Sequence, residues 1–452
     1  MGSVCFTTNN GHAASRLKES AMCQKRTSLT RAREDFSAQN ILVCVIEQEQ
    51  FRGRPPNGAL KLTRRDPVPA SSSEVQELLA KLVAFDTTSA KSNLELIAFV
   101  KTYLDGYGVA STLIPSADGA KASLFASIRP GSGGIGLSSH SDCVPVEGQT
   151  WSNDPFKLKL RDGKLYGRGS CDMKGFLACV LASIPLFASR ELKEAIHIIV
   201  SYDEEVGCTG VRPLIGRFGS DLPRPRVIIV GEFTNMSVID GHKRLDAYRT
   251  VVSGREADSG LPQLGVNAIS FAAELIEEID RIAATLASHE INNRFEPPFS
   301  TLQVGTIKGG TAPNIVPNTC EFYWQVRSLP EAEPDFVLKR FKAYAEQTLL
   351  PRMQRVAPTA SIEIQGRESV PAFLAKPGSV AVSLALALTG ANAASTVSYG
   401  TEAGLFEEAG CPTVICGPGD IEQAHVADEF VETAQLDACM SFLSKLAEKL
   451  SS

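Results

Sequence analysis

The sequence lacks the features on which membrane-spanning, nucleic-acid-binding and disulfide-framed proteins depend. No apolar run among its 452 residues approaches the roughly 20 residues that a spanning helix needs. The net charge is −6, so the chain has no basic excess for binding nucleic acid. Its 11 cysteines are odd in number and have no CxxC spacing, and no long apolar signal opens the chain. We therefore expect reduced thiols in a cytoplasmic protein with neither a membrane nor a nucleic-acid partner.

Residues 1–71 differ in composition and patterning from the rest of the chain. They are polar, somewhat basic and without clear periodicity, and the stretch RGRPPNGALKLTRRDPVPASSS is typical of a linker. Three interpretations stay open for this region: a targeting leader, a disordered extension, or a start codon placed too far upstream.

From residue 72 onward, helical and strand patterns alternate. SEVQELLAKLVAFDT has apolar residues at helical spacing, and FKLKLRDGKLYG has the pattern of a hairpin. AIHIIVSYDEE, RVIIVGEF and PTVICGPG are continuous apolar strands, as expected in a sheet that is covered on both faces. These patterns predict an α/β fold.

A βαββαβ order interrupts this α/β pattern between residues 245 and 367, and it predicts an inserted ferredoxin-like domain. One strand alternates Cys320, Phe322, Trp324 and Val326 with polar or exposed neighbours. The preceding helix is expected to bury one stripe of residues, namely Val266, Ile269, Ala273, Ile276 and Ile279. The catalytic domain is then expected to comprise residues 72–244 and 368–452 around a central mixed sheet.

Histidines and acids follow the ends of five predicted strands or loops, where open α/β sheets bind ligands. They are His140 and Asp142, Asp172, Glu204 and Glu205, Glu232, and His425. Two imidazoles and several carboxylates suit a pair of divalent ions such as zinc, cobalt or manganese. The adjacent acids of SYDEEVG then divide their work, since one binds an ion and the other takes a proton from water.

These segments resemble the acetylornithine deacetylase family, within the larger superfamily of dinuclear-metal aminoacylases and carboxypeptidases. The similarity is strong in HSDCVPVEGQTWSNDPFKLKLRDGKLYGRGSCDMKGFLACVLA, in TEAGLFEEAGCPTVICGPGDIEQAHVADEFV and in GGTAPNIVPNTCEFYWQVRSLP. It extends from about Ser72 to Leu450. It implies a zinc-hydrolase-like catalytic domain, a lid and dimerisation domain at 245–367, and a homodimer.

The resemblance also implies a role for each site residue. His140 and Glu232 would bind the first ion, Asp172 would bridge both ions, and Glu205 and His425 would bind the second. Zinc or cobalt is the expected metal, and a cis peptide is expected after Asp172.

The resemblance further makes Glu204 the general base and Asp142 the residue whose carboxylate holds the imidazole of the first histidine. Asn314 and Arg327 would meet the substrate carboxylate, for which the planar guanidinium is well shaped, and Thr401 would help to bind substrate.

Several positions depart from the family pattern. Phe233 replaces a proline in GEFT, Arg244 replaces a glycine, and Gly260 replaces a serine. Asp258 stands where the family has a histidine that a partner subunit supplies to the developing oxyanion. An aspartate cannot donate there at neutral pH, and losing one such donor costs about 10²–10³ in rate.

Three functions are consistent with these observations. The first is hydrolysis of N²-acetyl-L-ornithine to L-ornithine and acetate, in arginine biosynthesis. The second is the same chemistry on another N-acyl amino acid, on succinyl-diaminopimelate or on a dipeptide. The third is a weakened or non-catalytic metal-binding homologue, which the aspartate at position 258 favours.

Overall fold

The computed structural model describes residues 71–129 and 131–451. Within them the α-helices are α1 (Ser72–Ala84), α2 (Leu94–Gly106), α3 (Lys174–Ser189), α4 (Val211–Ile215), α5 (Ala268–His289), α6 (Phe336–Tyr344), α7 (Leu350–Gln354), α8 (Val380–Thr389), α9 (Ala403–Glu408) and α10 (Thr433–Ser451). The strands are β1 (Ser111–Pro115), β2 (Ala122–Ile128), β3 (Ile135–His140), β4 (Lys159–Arg161), β5 (Lys164–Tyr166), β6 (Ile196–Ser201), β7 (Val227–Val230), β8 (Ile239–His242), β9 (Arg244–Ser253), β10 (Thr301–Gly309), β11 (Thr319–Ser328), β12 (Ser361–Val370), β13 (Phe373–Leu374), β14 (Ser395–Val397), β15 (Thr413–Ile415) and β16 (Phe430–Glu432).

The continuous apolar strands form the centre of a nine-stranded mixed sheet. Its order is β1-β2-β6-β3-β7-β15-β8-β13, with β14 paired to β8. Every residue of β3, β6 and β7 is buried, because helices cover both faces. Ile198 packs into the core under α1, α3 and α10, whereas Ile199 packs into the core under α4 and α9. The sheet thus confirms the predicted α/β fold class.

The parallel pairing of the central strands brings their carboxyl ends to one edge. In the register of β3 with β6, His140 lies opposite Ser201, and β7 ends beside the same part of β3. The loops that follow these three strands therefore lie side by side, although they are far apart in sequence.

The inserted segment forms a separate four-stranded antiparallel sheet in the order β10-β11-β9-β12. This is the strand order of a ferredoxin-like fold, with α5, α6 and α7 packed against the apolar residues of β11. The predicted alternation is observed, since Cys320, Phe322, Trp324 and Val326 are all buried. The fold therefore combines a mixed-sheet layer with an inserted ferredoxin-like layer.

The buried face of α5 differs from the predicted stripe. Its buried apolar residues are Ala268, Ala272, Leu275, Ile279, Ile282 and Leu286. Ile269 is 38% exposed, and Ala273 is exposed as well. Val266 and Ile279 of the predicted stripe are buried, and the contacts of α5 with β10 and β11 select the rest of the face that packs.

Helix length and the state of the cysteines are two further features of the described residues. No helix among residues 71–129 and 131–451 is both long and apolar enough to cross a membrane. The eight cysteines in this part of the chain are all free thiols, and all are buried.

We predict that Trp324→Ala destabilises the protein by about 3–5 kcal/mol. The indole is buried between Tyr248 and Phe341, with ring centroids 4.5 Å and 4.6 Å away, and its Nε1–H donates to Thr250 Oγ1 at 3.0 Å. Urea unfolding provides the measurement. Tyr323→Ala, one residue earlier on the opposite face, is the control and should cost about 1 kcal/mol or less. Equal losses in the two variants would contradict this packing.

Candidate metal centre

The first cluster of ligand atoms lies where β3 and β7 end. His140, Asp172 and Glu232 each offer one atom, and these atoms lie within 4.8 Å of one another. His140 Nε2 is 2.9 Å from Asp172 Oδ1 and 3.8 Å from Glu232 Oε1. The residue before Glu232 is Gly231. A side chain at that position would clash with Phe176, because a Cβ would lie 2.0 Å from its ring. All three side chains of the cluster are buried, so the cluster is held in a defined arrangement.

A second cluster shares the same aspartate. Asp172, Glu205 and His425 also bring their ligand atoms within 4.8 Å of one another. His425 Nε2 is 2.9 Å from Asp172 Oδ2 and 3.1 Å from Glu205 Oε2. One oxygen of Asp172 therefore faces each cluster, which is the arrangement of a carboxylate that bridges two ions.

Backbone hydrogen bonds fix the loop that carries this aspartate. Glu429 accepts the N–H groups of Cys171 at 2.8 Å and Asp172 at 3.0 Å, and its other oxygen accepts the N–H of Gly169 at 3.0 Å. The Asp172–Met173 peptide is cis, as the resemblance implies. Sequence reasoning missed Glu429, because a side chain that binds the backbone of a loop about 260 residues away leaves no local pattern.

The paired acids occupy a tight turn after β6. The backbone N–H of Glu204 donates to Asp142 Oδ1 at 3.1 Å, and Cys208 Sγ lies 3.3 Å from Glu204 Oε1. The carboxylate of Asp142 also accepts from Ser89 Oγ at 2.7 Å. Its distance to His140 Nδ1 is 3.6 Å, and that nitrogen instead donates to the backbone carbonyl of Asp142 at 2.9 Å. Asp142 therefore supports both the histidine loop and the turn of the two acids.

Burial has the largest effect on the pKa values of the acids in these clusters. Burial raises the pKa of Glu205 to about 7, and the charge of Asp172 adds to this effect. Burial likewise raises the pKa of Glu204 and of Glu232 well above the usual range. Hydrogen bonds with Asp172 and Glu205 raise the pKa of His425 to about 11. Two imidazoles therefore do not balance four neighbouring carboxyl groups.

The donor set fits divalent cations. Oε1 of Glu205 is buried without a hydrogen-bond partner among the described residues, although its other oxygen contacts His425. Imidazole nitrogen and carboxylate oxygen are the ligands that zinc and cobalt accept, and a nearby cation offsets the repulsion between the acids. These residues therefore fit a pair of such ions, one in each cluster.

A cavity of about 240 Å³ opens onto both clusters. Glu204 and Arg327 both line it, and its remaining walls include Phe233, Tyr399 and Ile421. Among the described residues, the guanidinium of Arg327 makes no hydrogen bond and no ion pair, and burial lowers its pKa. This guanidinium is the only Lys or Arg group that lines the described cavity, so it can bind an anionic group of a ligand.

The remaining predicted substrate contacts lie elsewhere. Thr401 is buried behind Gly400 in the cavity wall, and its hydroxyl accepts the N–H of Ala403 at the start of α9. Asn314 is exposed at the far end of the small sheet, where its carbonyl accepts the N–H of Ser259 at 3.1 Å. Asp258 lies beside it and accepts the N–H of Gly260 at 2.8 Å. Neither Asn314 nor Asp258 lines the cavity of its own chain.

A further buried acid, Glu402, forms hydrogen bonds with two strands that lead to the metal centre. Glu402 Oε1 accepts a hydrogen bond from Ser201 Oγ at 2.5 Å, and its Oε2 lies 3.3 Å from Ser138 Oγ. Burial raises the pKa of Glu402 to about 7. Ser201 and Ser138 belong to β6 and β3, so Glu402 joins the two strands that deliver the ligands. No sequence pattern singled out Glu402, although it is an acid within the segment TEAGLFEEAG that carries the resemblance.

An α/β sheet that carries a shared carboxylate between two ligand clusters is typical of metal-dependent hydrolases. Residues 136–449 match the Peptidase family M20/M25/M40, and the chain belongs to this family. It is therefore a metal-dependent hydrolase, and the predicted resemblance is confirmed.

Curated relatives and solved structures agree with this assignment. The chain is 33% identical over 374 residues to an acetylornithine deacetylase of Myxococcus xanthus, covering 81% of this chain and 95% of that protein. An acetylornithine deacetylase of Proteus mirabilis strain HI4320 is 32% identical over 380 residues, covering 82% of this chain and 95% of that protein.

Two solved structures have a similar fold. An aminopeptidase structure from Bacillus cereus has a TM-score of 0.65 at 18% identity, covering 85% of this chain and 100% of that one. An M20 metallo-carboxypeptidase from Sulfolobus solfataricus has a TM-score of 0.65 at 17% identity, covering 84% and 99%. At these identities the two structures show the fold alone.

We predict that Zn²⁺ or Co²⁺ raises the melting temperature of chelator-treated protein. Ions that bind only the folded chain stabilise it by about 2.7 kcal/mol per site when their free concentration is about 100 times the dissociation constant. Differential scanning calorimetry measures the effect. His425→Ala should lose part of the increase, whereas His289→Ala, in the last turn of α5, should keep all of it. No increase in the wild-type protein would contradict the metal centre.

Proposed function

We propose that this hydrolase removes the acyl group from N-acyl amino acids, with N²-acetyl-L-ornithine as its substrate in arginine biosynthesis. The observation that carries the proposal is one carboxylate shared by two ligand clusters, with Glu204 and an unpaired Arg327 facing the same cavity. The names of the curated relatives, which are acetylornithine deacetylases at 31–33% identity, support this substrate.

The residues of the chain divide the reaction between them. Lewis-acid polarisation of the amide carbonyl, and a lowered pKa of water, are what zinc or cobalt supplies in such a site. His140, Glu232, Asp172, Glu205 and His425 would hold the two ions. Their positions around the shared aspartate support this assignment.

Glu204 is the general base in this proposal. Its carboxylate accepts a proton from the attacking water and returns it to the nitrogen of the leaving amine. Arg327 holds the substrate carboxylate through its planar guanidinium. Thr401 contributes indirectly, because its hydroxyl fixes the start of α9 directly after the cavity wall.

We propose that residues 245–367 act as a lid and dimerisation domain on a catalytic domain of residues 72–244 and 368–452. Asp258 and Asn314 lie at the end of the small sheet and outside their own cavity, so they would reach the cavity of a second copy. Leu261, Leu264 and Ile269 expose 50%, 52% and 38% of their surfaces near this end, which supports a homodimer contact.

A second candidate is deacylation of an amino acid with an apolar side chain. Phe233, Tyr399 and Ile421 line the cavity, and the two aromatic rings lie 5.0 Å apart. Every acid in the described lining is either assigned to an ion or acts as the base, so no further acid of that lining is left to bind the ammonium group of ornithine. An amine-release assay with zinc or cobalt on N-acetyl-ornithine, N-acetyl-leucine, succinyl-diaminopimelate and a dipeptide distinguishes these substrates, and no release from any of them would favour a non-catalytic protein.

We predict that Glu204→Ala keeps both ions but lowers kcat by about 10²–10⁴, because the proton of water loses its acceptor. Metal content by mass spectrometry and steady-state kinetics are the two measurements. Glu363→Ala, on an exposed position of β12, is the matched control and should leave both unchanged. Loss of metal in the Glu204 variant would refute the separate roles of the two adjacent acids.

We predict that Asp258→His raises kcat at least about tenfold, because an imidazole N–H can donate to the developing negative oxygen whereas a carboxylate repels it. The comparison uses the best substrate of the panel, with Glu256→His as the control two residues earlier. A rate that stays the same or falls would show that position 258 is not equivalent to the histidine of the family.

A further inference from the structure

The side-chain amide of Gln149 joins the two loops that carry Asp172 and His425. Its Nε2–H donates to the backbone carbonyl of His425 at 2.9 Å. Its Oε1 accepts from Arg168 Nη2 at 2.5 Å and from Trp151 Nε1 at 3.1 Å. The amide group thus uses its donor on one loop and its acceptor on the other.

Arg168 continues this connection to the shared aspartate. Its Nη1 donates to Glu429 Oε2 at 2.7 Å, and both side chains of this ion pair are only 1% exposed. The guanidinium also lies over the ring of Trp151, 5.0 Å from its centroid. Since Glu429 binds the backbone of Asp172, a continuous chain of hydrogen bonds runs from Asp172 to the carbonyl of His425.

His425 needs such support more than the other proposed ligands do. Its side chain is 51% exposed, whereas those of Asp172 and Glu205 are 5% and 7% exposed. Its backbone has a φ of 62°, in the left-handed region that disfavours residues other than glycine. Packing alone therefore restrains this loop weakly, and hydrogen bonds to its backbone must keep the imidazole in place. Asp428 also anchors the loop, since Oδ1 accepts the N–H of Ser152 at 2.9 Å.

We propose that Gln149 is a positioning residue for the second metal ion, the one held by Asp172, Glu205 and His425. The inference rests on the proposed function, because it assumes that these three residues bind an ion. Gln149 bonds directly to the His425 loop and reaches the shared Asp172 only through Arg168 and Glu429, so its loss should weaken the binding of the second ion more than that of the first. Residues that orient metal ligands change metal affinity about 10- to 100-fold when they are replaced.

The test is a Co²⁺ titration of the full-length, chelator-treated chain, followed by calorimetry and by the visible absorption of cobalt. Gln149→Met keeps the length of the side chain and removes both polar groups. It should weaken one of the two binding steps about 10- to 100-fold and affect the other step less. Gln149→Asn, which keeps the amide but shortens it, should weaken the same step and guards against a variant that fails to fold.

Gln354→Met is the matched control, because Gln354 Nε2 also donates to a backbone carbonyl, that of Ala360 at 3.2 Å, in the small-sheet layer. It should bind both ions as the wild-type chain does. Wild-type affinity for both ions in the Gln149 variants would overturn the inference and leave the proposed function intact, and so would an equal weakening of both steps. A wild-type chain that binds fewer than two ions would overturn the proposed function, and the inference with it.

Discussion

The repulsion between buried carboxylates is the constraint that organises this protein. Asp172, Glu204, Glu205 and Glu232 converge on one small volume, where a low dielectric strengthens every interaction between charges. Without cations, burial favours the protonated forms of Glu204, Glu205 and Glu232, and bound cations are what allow these acids to be charged together. The cost of that arrangement explains why so much of the surrounding hydrogen bonding, from Glu429 to the backbone around Asp142, serves to fix the loops.

The clustering of the proposed ligands could be predicted from sequence because all of them but His425 lie closely after a strand or before a helix, and these patterns are local. Parallel strands bring their carboxyl ends together whatever lies between them, so strand-end residues such as His140 and Glu232 converge without any knowledge of tertiary contacts. Glu429 and Gln149 could not be predicted in the same way. Their partners are backbone groups of distant loops. Many polar residues of suitable length can bind such groups, so no sequence pattern identifies Glu429 or Gln149.

The direction of individual side chains could be predicted less well than their place in the sequence. The stripe predicted for α5 included Ile269, because periodicity identifies an apolar face but does not decide which overlapping face the sheet selects. The resemblance implies that Thr401 helps to bind substrate, and this role stays a prediction; the structure shows that its hydroxyl accepts the N–H of Ala403. In both cases the direction of the side chain depends on packing that only the fold determines.

The chemistry and the choice of substrate are controlled by different parts of this fold. Hydrolysis depends on residues at the ends of strands whose positions the sheet dictates, so the whole family can share it. In the proposed function, selectivity would depend on the cavity wall, which includes the rings of Phe233 and Tyr399, and on Asp258 of a second copy. An aspartate there is unfavourable beside a growing negative charge, but it is favourable beside a substrate ammonium group. The same residue could therefore weaken the general reaction while selecting for a cationic amino acid, which would reconcile its presence with an intact set of metal ligands.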